Sequence, residues 1–288
     1  MMSELPVSTL RDMTETTVAD DRAELAGYVE IWWQAINDFL DVLEELPEEE
    51  WSTPTDLPGW DVKACAAHTA HLEGILAGNP EETAEVGEPP HVTGPMGLYT
   101  EIGVVNRRDA SPDAIINEIR ESVTKRHTAL LADPPSDGSV RAEPIFGGVP
   151  WTWRTLLRNR PLDVWMHEQD VRRAVGRPGN LDTEPARHTA EYLAESLGFV
   201  LGKRVGAPTG TSLVLDMAGS APMAFEIDAN GRGQRVGPPA EPTVTLRMDR
   251  ESFIRLAGGR CAAEPGRIVV EGDQELGRRV LDALATTP

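Results

Sequence analysis

Acidic residues and a histidine share one side of a helical stretch near the middle of the chain. The stretch is RPLDVWMHEQDVRRAVGRPG, residues 160–179, in which Asp163 and His167 stand four positions apart. In a helix this spacing places both side-chain heads over one spot, as the paired ligands of a helical zinc site require. The same spacing suits an ordinary ion pair on a solvated helix face, which stabilises a helix by about 0.2–0.5 kcal/mol.

A second carboxylate of this stretch is placed to support the first two residues. Asp170 lies about one turn beyond His167, so its carboxylate can accept the ring N–H of a ligand histidine and orient that ring. Asp170 can equally form an ion pair with the neighbouring Arg173. Trp165 in the same helix, and Trp60 earlier in the chain, are expected to anchor the core rather than to contact a substrate.

A third candidate ligand comes from an earlier segment, PGWDVKACAAHTAHLEGILAG, whose apolar spacing predicts a helix. His68 flanks the buried stripe of this helix, whereas the helical phase turns His71 further toward solvent. Together, His68, Asp163 and His167 would form a three-ligand set with an open fourth position, as a catalytic metal requires. The alternative for His68 is a satisfied histidine at the edge of the core, so spacing alone leaves the metal site open.

The apolar periodicity predicts a helical part followed by a mixed part. Helices are expected over residues 21–46, 62–78, 112–131, 151–175 and 184–204, with a loop over 79–100. Pro161 is expected to kink or divide the fourth of these helices. Later come the β-prone runs TSLVLDM, PMAFEID, PTVTLRM and GRIVVEG and the helical runs RESFIRLAGG and DQELGRRVLDALA. We therefore expect a flexible tail over 1–20, a four-helix bundle over 21–205 and a smaller α+β domain over 206–288.

The charge of the chain argues against two classes of partner. The formal net charge is -20, whereas nucleic acids and anionic membranes require clustered Lys and Arg. No apolar run is long enough to span a membrane and no signal peptide is visible, so we expect a cytoplasmic monomer or homodimer. Two distant cysteines, Cys65 and Cys261, indicate buried or partly buried thiols rather than a disulfide framework.

Both helical motifs resemble those of the DinB-like metalloenzyme superfamily, and specifically its mycothiol-dependent branch. PGWDVKACAAHTAHL is similar to a motif in which a histidine follows a Gly-Trp pair by eight residues. RPLDVWMHEQDVRRAVGRPG is similar to that branch's second motif, an acidic residue four positions before a histidine, then Asp and Arg. The run from TSLVLDM to DQELGRRVL resembles the sterol-carrier-like domain of mycothiol-dependent maleylpyruvate isomerases.

The resemblance covers about residues 20–288 and implies a DinB-like four-helix bundle followed by a sterol-carrier-like α+β domain. It makes His68, Asp163 and His167 the ligands of a divalent metal, for which zinc is the first choice and nickel, iron and manganese are alternatives. Asp163 departs from the family pattern, which has a glutamate at this position. Aspartate is one methylene shorter than glutamate. The sequence therefore leaves three alternatives open: the site binds its metal more weakly, it binds a different metal, or Asp163 lies outside the ligand set.

The resemblance also implies thiol chemistry, with mycothiol as co-substrate and a small electrophile as substrate. The outcome would be isomerisation or S-transfer, since a fold does not determine the reaction. Arg260, in the AGGR turn of the second domain, is our candidate for binding the carboxylate of an acidic substrate, or else it only complements its helix dipole. Two alternatives are a non-enzymatic protein that binds or sequesters small molecules and a hydrolase that uses metal-bound water.

Overall fold

The computed structural model describes residues 7–143, 147–264 and 266–287, and for residues 7–20 it describes the backbone alone. The chain divides into two compact units between Gly179 and Asn180. We expected this boundary between residues 205 and 206. The difference arises because the helix Glu184–Ala194 packs against a later helix, Arg250–Ala257, and so belongs to the second unit. Within the described ranges, no helix is both long enough and apolar enough to cross a membrane.

The first unit is built on four long helices that pack around a common core. Its helices are α1 (Val7–Glu44), α2 (Val62–Leu76), α3 (Gly94–Asn106), α4 (Pro112–Ala132) and α5 (Trp153–Ala174). Helix α1 packs against α4 and α5, and α2 packs against the same two helices, which makes α1, α2, α4 and α5 a four-helix bundle. The predicted stripe of α1 lines the core, since Leu25, Trp32 and Phe39 are at most 1% exposed. The predicted bundle is thereby confirmed.

Side-chain caps define where the bundle helices begin. The Asp61 carboxylate accepts the backbone N–H of Ala64 at 2.8 Å, which satisfies one of the open donors at the start of α2. Ser111 caps α4 in the same way. Helix α5 runs unbroken through Pro161, so this proline does not divide the helix, while the alternative of a kink stays a prediction. The lost hydrogen bond is tolerated because the residues around Pro161 are buried against the rest of the bundle.

Two helical segments were not predicted from the sequence. Helix α1 begins at Val7, so residues 7–20, which we expected to be part of a flexible tail, are helical, while residues 1–6 lie outside the described range. Helix α3 (Gly94–Asn106) begins inside the loop predicted over residues 79–100. It continues through residues 101–106, for which no element was predicted. Its opening Gly-Pro pair resembles loop punctuation, yet proline at the first positions of a helix is favourable.

The second unit contains a five-stranded sheet flanked by helices. The strands are β1 (Ser212–Met217), β2 (Met223–Ile227), β3 (Gly233–Val236), β4 (Val244–Met248) and β5 (Val269–Gly272), in the order β3-β2-β1-β4-β5. The helices are α6 (Glu184–Ala194), α7 (Leu197–Phe199, followed by the π-helical turn Val200–Arg204), α8 (Arg250–Ala257) and α9 (Gln274–Asp282). Strands β1 and β4 pair in parallel and the other neighbours are antiparallel. The predicted α+β domain is confirmed, although strand β3 was missed because its exposed residues lack an apolar alternation.

A buried ion network joins all four helices of the bundle. The carboxylate of Glu73, on α2, is fully buried and accepts Nη1 of Arg126 on α4 at 2.7 Å. The same carboxylate accepts hydrogen bonds from Nε and Nη2 of Arg160 on α5, at 3.0 and 2.9 Å. It accepts a further one from the indole N–H of Trp32 on α1, at 3.1 Å. A buried charge is tolerated when it is paired and hydrogen-bonded, and this network meets both conditions.

Replacing Gly103 by alanine tests the packing of α3 against α2. A Cβ at this position would lie 2.4 Å from the Cβ of His71, so α3 would have to move. We expect the free energy of unfolding to fall by about 1–3 kcal/mol, as in other overpacked cores. Gly27→Ala is the matched control, because a Cβ there meets nothing within 4 Å and alanine favours the helix by up to about 1 kcal/mol. Equal stability of the two variants in urea denaturation would contradict the described packing.

Replacing Glu73 by glutamine tests the buried network through its dependence on pH. Burial raises the pKa of Glu73, but the guanidinium groups of Arg126 and Arg160 outweigh this effect and hold that pKa below its usual 4.5. The charge therefore contributes its full stability above pH 4.5, and this contribution is lost as the pH falls through the lower folded-state pKa.

We expect Glu73→Gln to lower the free energy of unfolding at neutral pH by about 3–5 kcal/mol, because two buried guanidinium groups lose their counter-charge. The difference in the free energy of unfolding between the variant and wild type should shrink in acid, because the wild-type carboxyl is itself protonated there. Glu121→Gln, an exposed change on α4, is the control and should have little effect at either pH. A difference that is independent of pH would contradict this role of the Glu73 charge.

Candidate metal centre

The three side chains singled out by their spacing converge between α2 and α5. His68 Nε2 lies 3.5 Å from Asp163 Oδ2, and His167 Nε2 lies 3.8 Å from Asp163 Oδ1. One ligand atom from each residue lies within 4.8 Å of the other two. Both histidines are buried, and the Asp163 side chain is 24% exposed. The pair Asp163 and His167 is therefore not an ion pair on a solvated helix face. We call His68, Asp163 and His167 the candidate metal centre.

The donor atoms of the candidate metal centre are of the kinds that could hold a divalent metal. Two metal–ligand bonds of about 2.1 Å at a tetrahedral angle hold their ligand atoms about 3.4 Å apart. His68 Nε2 lies 3.5 Å from Asp163 Oδ2 and His167 Nε2 lies 3.8 Å from Oδ1, so each histidine is near that separation from a different oxygen of the carboxylate. Burial lowers the pKa of His68, which keeps its ring neutral and leaves a nitrogen lone pair for a metal. A His₂-carboxylate set with an open position is typical of catalytic zinc.

Arg160 connects the candidate metal centre to the buried network beneath it. Its Nη1 donates to Asp163 Oδ2 at 2.9 Å, while its Nε and Nη2 donate to Glu73. Burial raises the pKa of Asp163, but the charge of Arg160 and the nearby His68 hold that pKa well below its usual range. Asp163 is therefore ionised at neutral pH and has a fixed orientation. Sequence analysis missed Arg160 and Glu73, although a glutamate within the apolar stripe of α2 was a usable sign of them.

Asp170 has both of the partners that the sequence suggested. Its Oδ2 lies 3.4 Å from Nδ1 of His167, and its Oδ1 accepts Nη2 of Arg173 at 2.5 Å. The first distance is long for a hydrogen bond, so Asp170 is near the ring nitrogen that would support a ligand histidine without yet binding it closely. Cys65 is also buried here and offers its sulfur within 4.8 Å of ligand atoms of His167 and Asp170.

His71 is not turned toward solvent, and the expectation that it would be was wrong. The residue is fully buried, and its ring lies beneath α3, with the Tyr99 ring centroid 5.4 Å away. The error follows from the missed helix, since α3 covers a face of α2 that would otherwise be exposed. No acceptor or donor among the described residues pairs with either ring nitrogen of His71. Its side chain is not part of the candidate metal centre.

The two tryptophans differ in their surroundings. Trp165 is 1% exposed and anchors the core, as predicted. Trp60 is half-buried and packs against both candidate ligands, with ring centroids 5.1 Å from His68 and 5.7 Å from His167. Its indole N–H donates to Glu101 Oε1 at 2.5 Å. Trp60 is thus a wall of the candidate metal centre, which the sequence did not indicate.

Arg260 lies in the second unit, just after α8. Its Nη1 donates to the backbone carbonyl of Gly258 at 2.6 Å and lies 3.4 Å from Thr287 Oγ1. These contacts hold the guanidinium beside the C-terminal end of α8, where a cation is favourable. Binding of a substrate carboxylate by Arg260 stays a prediction.

Two family models match the chain, one for each part. The model of the mycothiol maleylpyruvate isomerase N-terminal domain matches residues 32–172, and that of the corresponding C-terminal domain matches residues 187–279. The chain is also 24% identical over 232 residues to an uncharacterized protein of Mycobacterium tuberculosis, found in two strains; the match covers 77% of this chain and 85% of that protein.

Solved structures show the same fold. The crystal structure of a mycothiol-dependent maleylpyruvate isomerase matches with a TM-score of 0.55 at 20% identity, over 86% of this chain and 92% of that one. A histidine-to-alanine mutant of that isomerase matches with a TM-score of 0.54 at the same identity and coverage. The two family models together span most of the sequence and agree with this fold. The chain therefore belongs to the mycothiol-dependent maleylpyruvate isomerase family.

Proposed function

We propose that this protein is a metal-dependent enzyme that uses mycothiol to add a thiol to a small electrophilic substrate. The observation that carries the proposal is the convergence of His68, Asp163 and His167 within 4.8 Å of one another. Membership of the family supports mycothiol as the thiol and isomerisation as the reaction, with S-transfer as the second outcome. The proposal places the enzyme in the cytoplasm as a monomer or homodimer, with zinc as the first choice of metal.

The residues around the candidate metal centre would have different roles in binding the metal and the substrate. His68 and His167 would bind the cation through neutral nitrogens, and Asp163 would bind it through an ionised carboxylate that Arg160 orients. A divalent cation held there would lower the pKa of a bound thiol, so that thiolate is present at neutral pH. The Trp60 ring would cover the rings of His68 and His167 and so limit the access of water to them. Arg260 is our candidate for the carboxylate of an acidic substrate.

The two reaction outcomes differ in what happens after the thiolate adds to the substrate. Addition forms a sulfur–carbon bond and moves an electron pair of the substrate double bond onto the conjugated acceptor. If the former double bond rotates and the sulfur–carbon bond breaks, the thiolate is regenerated and the product is the geometric isomer. If the adduct takes up a proton instead, the thiol stays on the product and the reaction is S-transfer.

Metal content and thiol dependence together test this function. We expect wild-type protein to bind about one divalent metal per chain and to act on a model electrophile only when mycothiol is present. His167→Ala should lose both properties, because it removes one of three protein ligands. His71→Ala is the matched control, since this buried histidine on α2 lies outside the candidate metal centre. Metal binding that is equally weak in both folded variants would contradict the assignment.

Two results would favour a different function. Activity without added thiol would identify a hydrolase that uses metal-bound water. A protein that stays free of metal after growth in metal-supplemented medium would instead favour a binding or sequestration protein.

Substitution of Asp163 tests whether this shorter carboxylate is a ligand. Asp163→Asn keeps the size and removes the charge, so we expect metal affinity to fall by about tenfold or more. Asp163→Glu should bind metal at least as tightly as wild type, because it restores the length of the family pattern. Metal content of the three folded proteins, measured by elemental analysis after dialysis, checks this. Unchanged metal in Asp163→Asn would remove Asp163 from the ligand set.

A further inference from the structure

A second group of donor atoms lies between α2 and α5, next to the candidate metal centre. It consists of Cys65, His167 and Asp170, each of which offers one ligand atom within 4.8 Å of the other two. Cys65 and Asp170 are fully buried, and His167 is 5% exposed. We call these three residues the sulfur-containing set. His167 is the one residue that it shares with the candidate metal centre.

The ring of His167 lies between two carboxylates of its own helix. Its Nε2 is 3.8 Å from Asp163 Oδ1, and its Nδ1 is 3.4 Å from Asp170 Oδ2. Each carboxylate is paired with an arginine of α5, Asp163 with Arg160 at 2.9 Å and Asp170 with Arg173 at 2.5 Å. The two nitrogens of an imidazole point in different directions, so one histidine can serve a metal position on either side of its ring. Helix α5 therefore presents the same kinds of group on both sides of His167.

Helix α2 contributes one further donor to each side. His68 Nε2 lies 3.5 Å from Asp163 Oδ2, on the side of the candidate metal centre. Cys65 precedes His68 by three residues, which places both side chains on one face of α2. The Cys65 sulfur lies with ligand atoms of His167 and Asp170. The two positions thus differ in their donor from α2, which is nitrogen in one and sulfur in the other.

The Nδ1 atom of His167 points to a ligand on the sulfur-containing side. The atom is buried and has no hydrogen-bond partner among the residues that the structure describes. Its separation of 3.4 Å from Asp170 Oδ2 is long for a hydrogen bond. Buried polar atoms are rarely left in this state. A cation held by Cys65 and Asp170 would bind the lone pair of this nitrogen.

The donor types select a class of cation. Thiolate and imidazole ligands favour thiophilic metals such as zinc and its heavier analogue cadmium, whereas magnesium, calcium and manganese favour oxygen ligands. Binding would replace the S–H bond of Cys65 by a sulfur–metal bond and release the proton to solvent. The thiolate and the Asp170 carboxylate then balance the two charges of a divalent cation, as burial requires.

We propose that the sulfur-containing set is a second metal position, which binds a thiophilic divalent cation through Cys65 Sγ, His167 Nδ1 and a carboxylate oxygen of Asp170. A neutral imidazole has one nitrogen lone pair, so His167 serves one position at a time. A cation at either position leaves the other with two protein ligands. This second position requires neither a thiol substrate nor a reaction, and so it lies beyond the proposed function.

Titration of metal-free protein with Cd²⁺ alone tests for this position. A cadmium–thiolate bond produces an ultraviolet charge-transfer band that nitrogen and oxygen ligands do not produce. We expect the band to saturate at about one cadmium per chain in wild type. Cys65→Ser replaces the sulfur by a hydroxyl and should lose the band. Cys261→Ser is the matched control and should keep it, because Cys261 lies in the second unit and belongs to neither set.

Two further variants separate the sulfur-containing set from the candidate metal centre. Asp170→Asn should weaken cadmium binding by about tenfold or more, because it removes the ligand charge. Asp163→Asn should keep the band at wild-type strength, because Asp163 belongs only to the candidate metal centre. Cys65→Ala removes the sulfur without adding a polar group to the core, and should also lose the band if Cys65→Ser does not fold.

The absence of a band in wild type would overturn the inference, as would a band of full strength in folded Cys65→Ser or Cys65→Ala. A band that disappears in Cys261→Ser would also overturn it, since the cation would then be bound in the second unit. Failure of the proposed function looks different. In that case Cys65→Ser would retain no zinc and wild type would show no thiol-dependent activity, while the cadmium band and its loss in Cys65→Ser stayed as predicted.

Discussion

The buried carboxylate of Glu73 is the constraint on which the first unit depends. A charge without exposure to water must be matched by opposite charge and by hydrogen bonds, and here Arg126, Arg160 and Trp32 supply them. These partners lie on three different helices, so a shift of α1, α4 or α5 relative to α2 breaks at least one of these hydrogen bonds. Apolar packing alone would allow the helices to slide or rotate by small amounts. The network excludes such alternatives, and it does so directly beneath the candidate metal centre.

The same arginine links the architecture of the bundle to its chemistry. Arg160 divides its donors between Glu73 and Asp163, so the position of the proposed ligand carboxylate follows from the packing of the core. The formal charges of Glu73 and Asp163 balance those of Arg126 and Arg160. A cation in the proposed site would therefore meet a carboxylate whose charge is already shared.

The sequence predicted those features that depend on local pattern and failed where distant segments cover one another. Apolar spacing and caps such as Asp61 indicated the bundle helices, and spacing placed Asp163 and His167 on one side of α5. The family resemblance added His68 to them, and the three residues do converge. Helix α3 was missed because its Gly-Pro start suggests a loop, and the wrong exposure of His71 followed from that omission. The boundary was placed too late because α6 resembles a bundle helix in sequence, while its packing partner α8 lies far along the chain.

The connectivity of the sheet has a consequence for the order of folding. The central strand β1 pairs in parallel with its neighbour β4, and the whole β2–β3 hairpin lies between them in sequence. This pairing can form only after the β2–β3 segment has been synthesised and has moved to one side, because β4 follows both strands in the chain. All three residues of the candidate metal centre precede Gly179, so they leave the ribosome before any strand does. A nascent chain can thus assemble its proposed metal ligands while the sheet is still being synthesised.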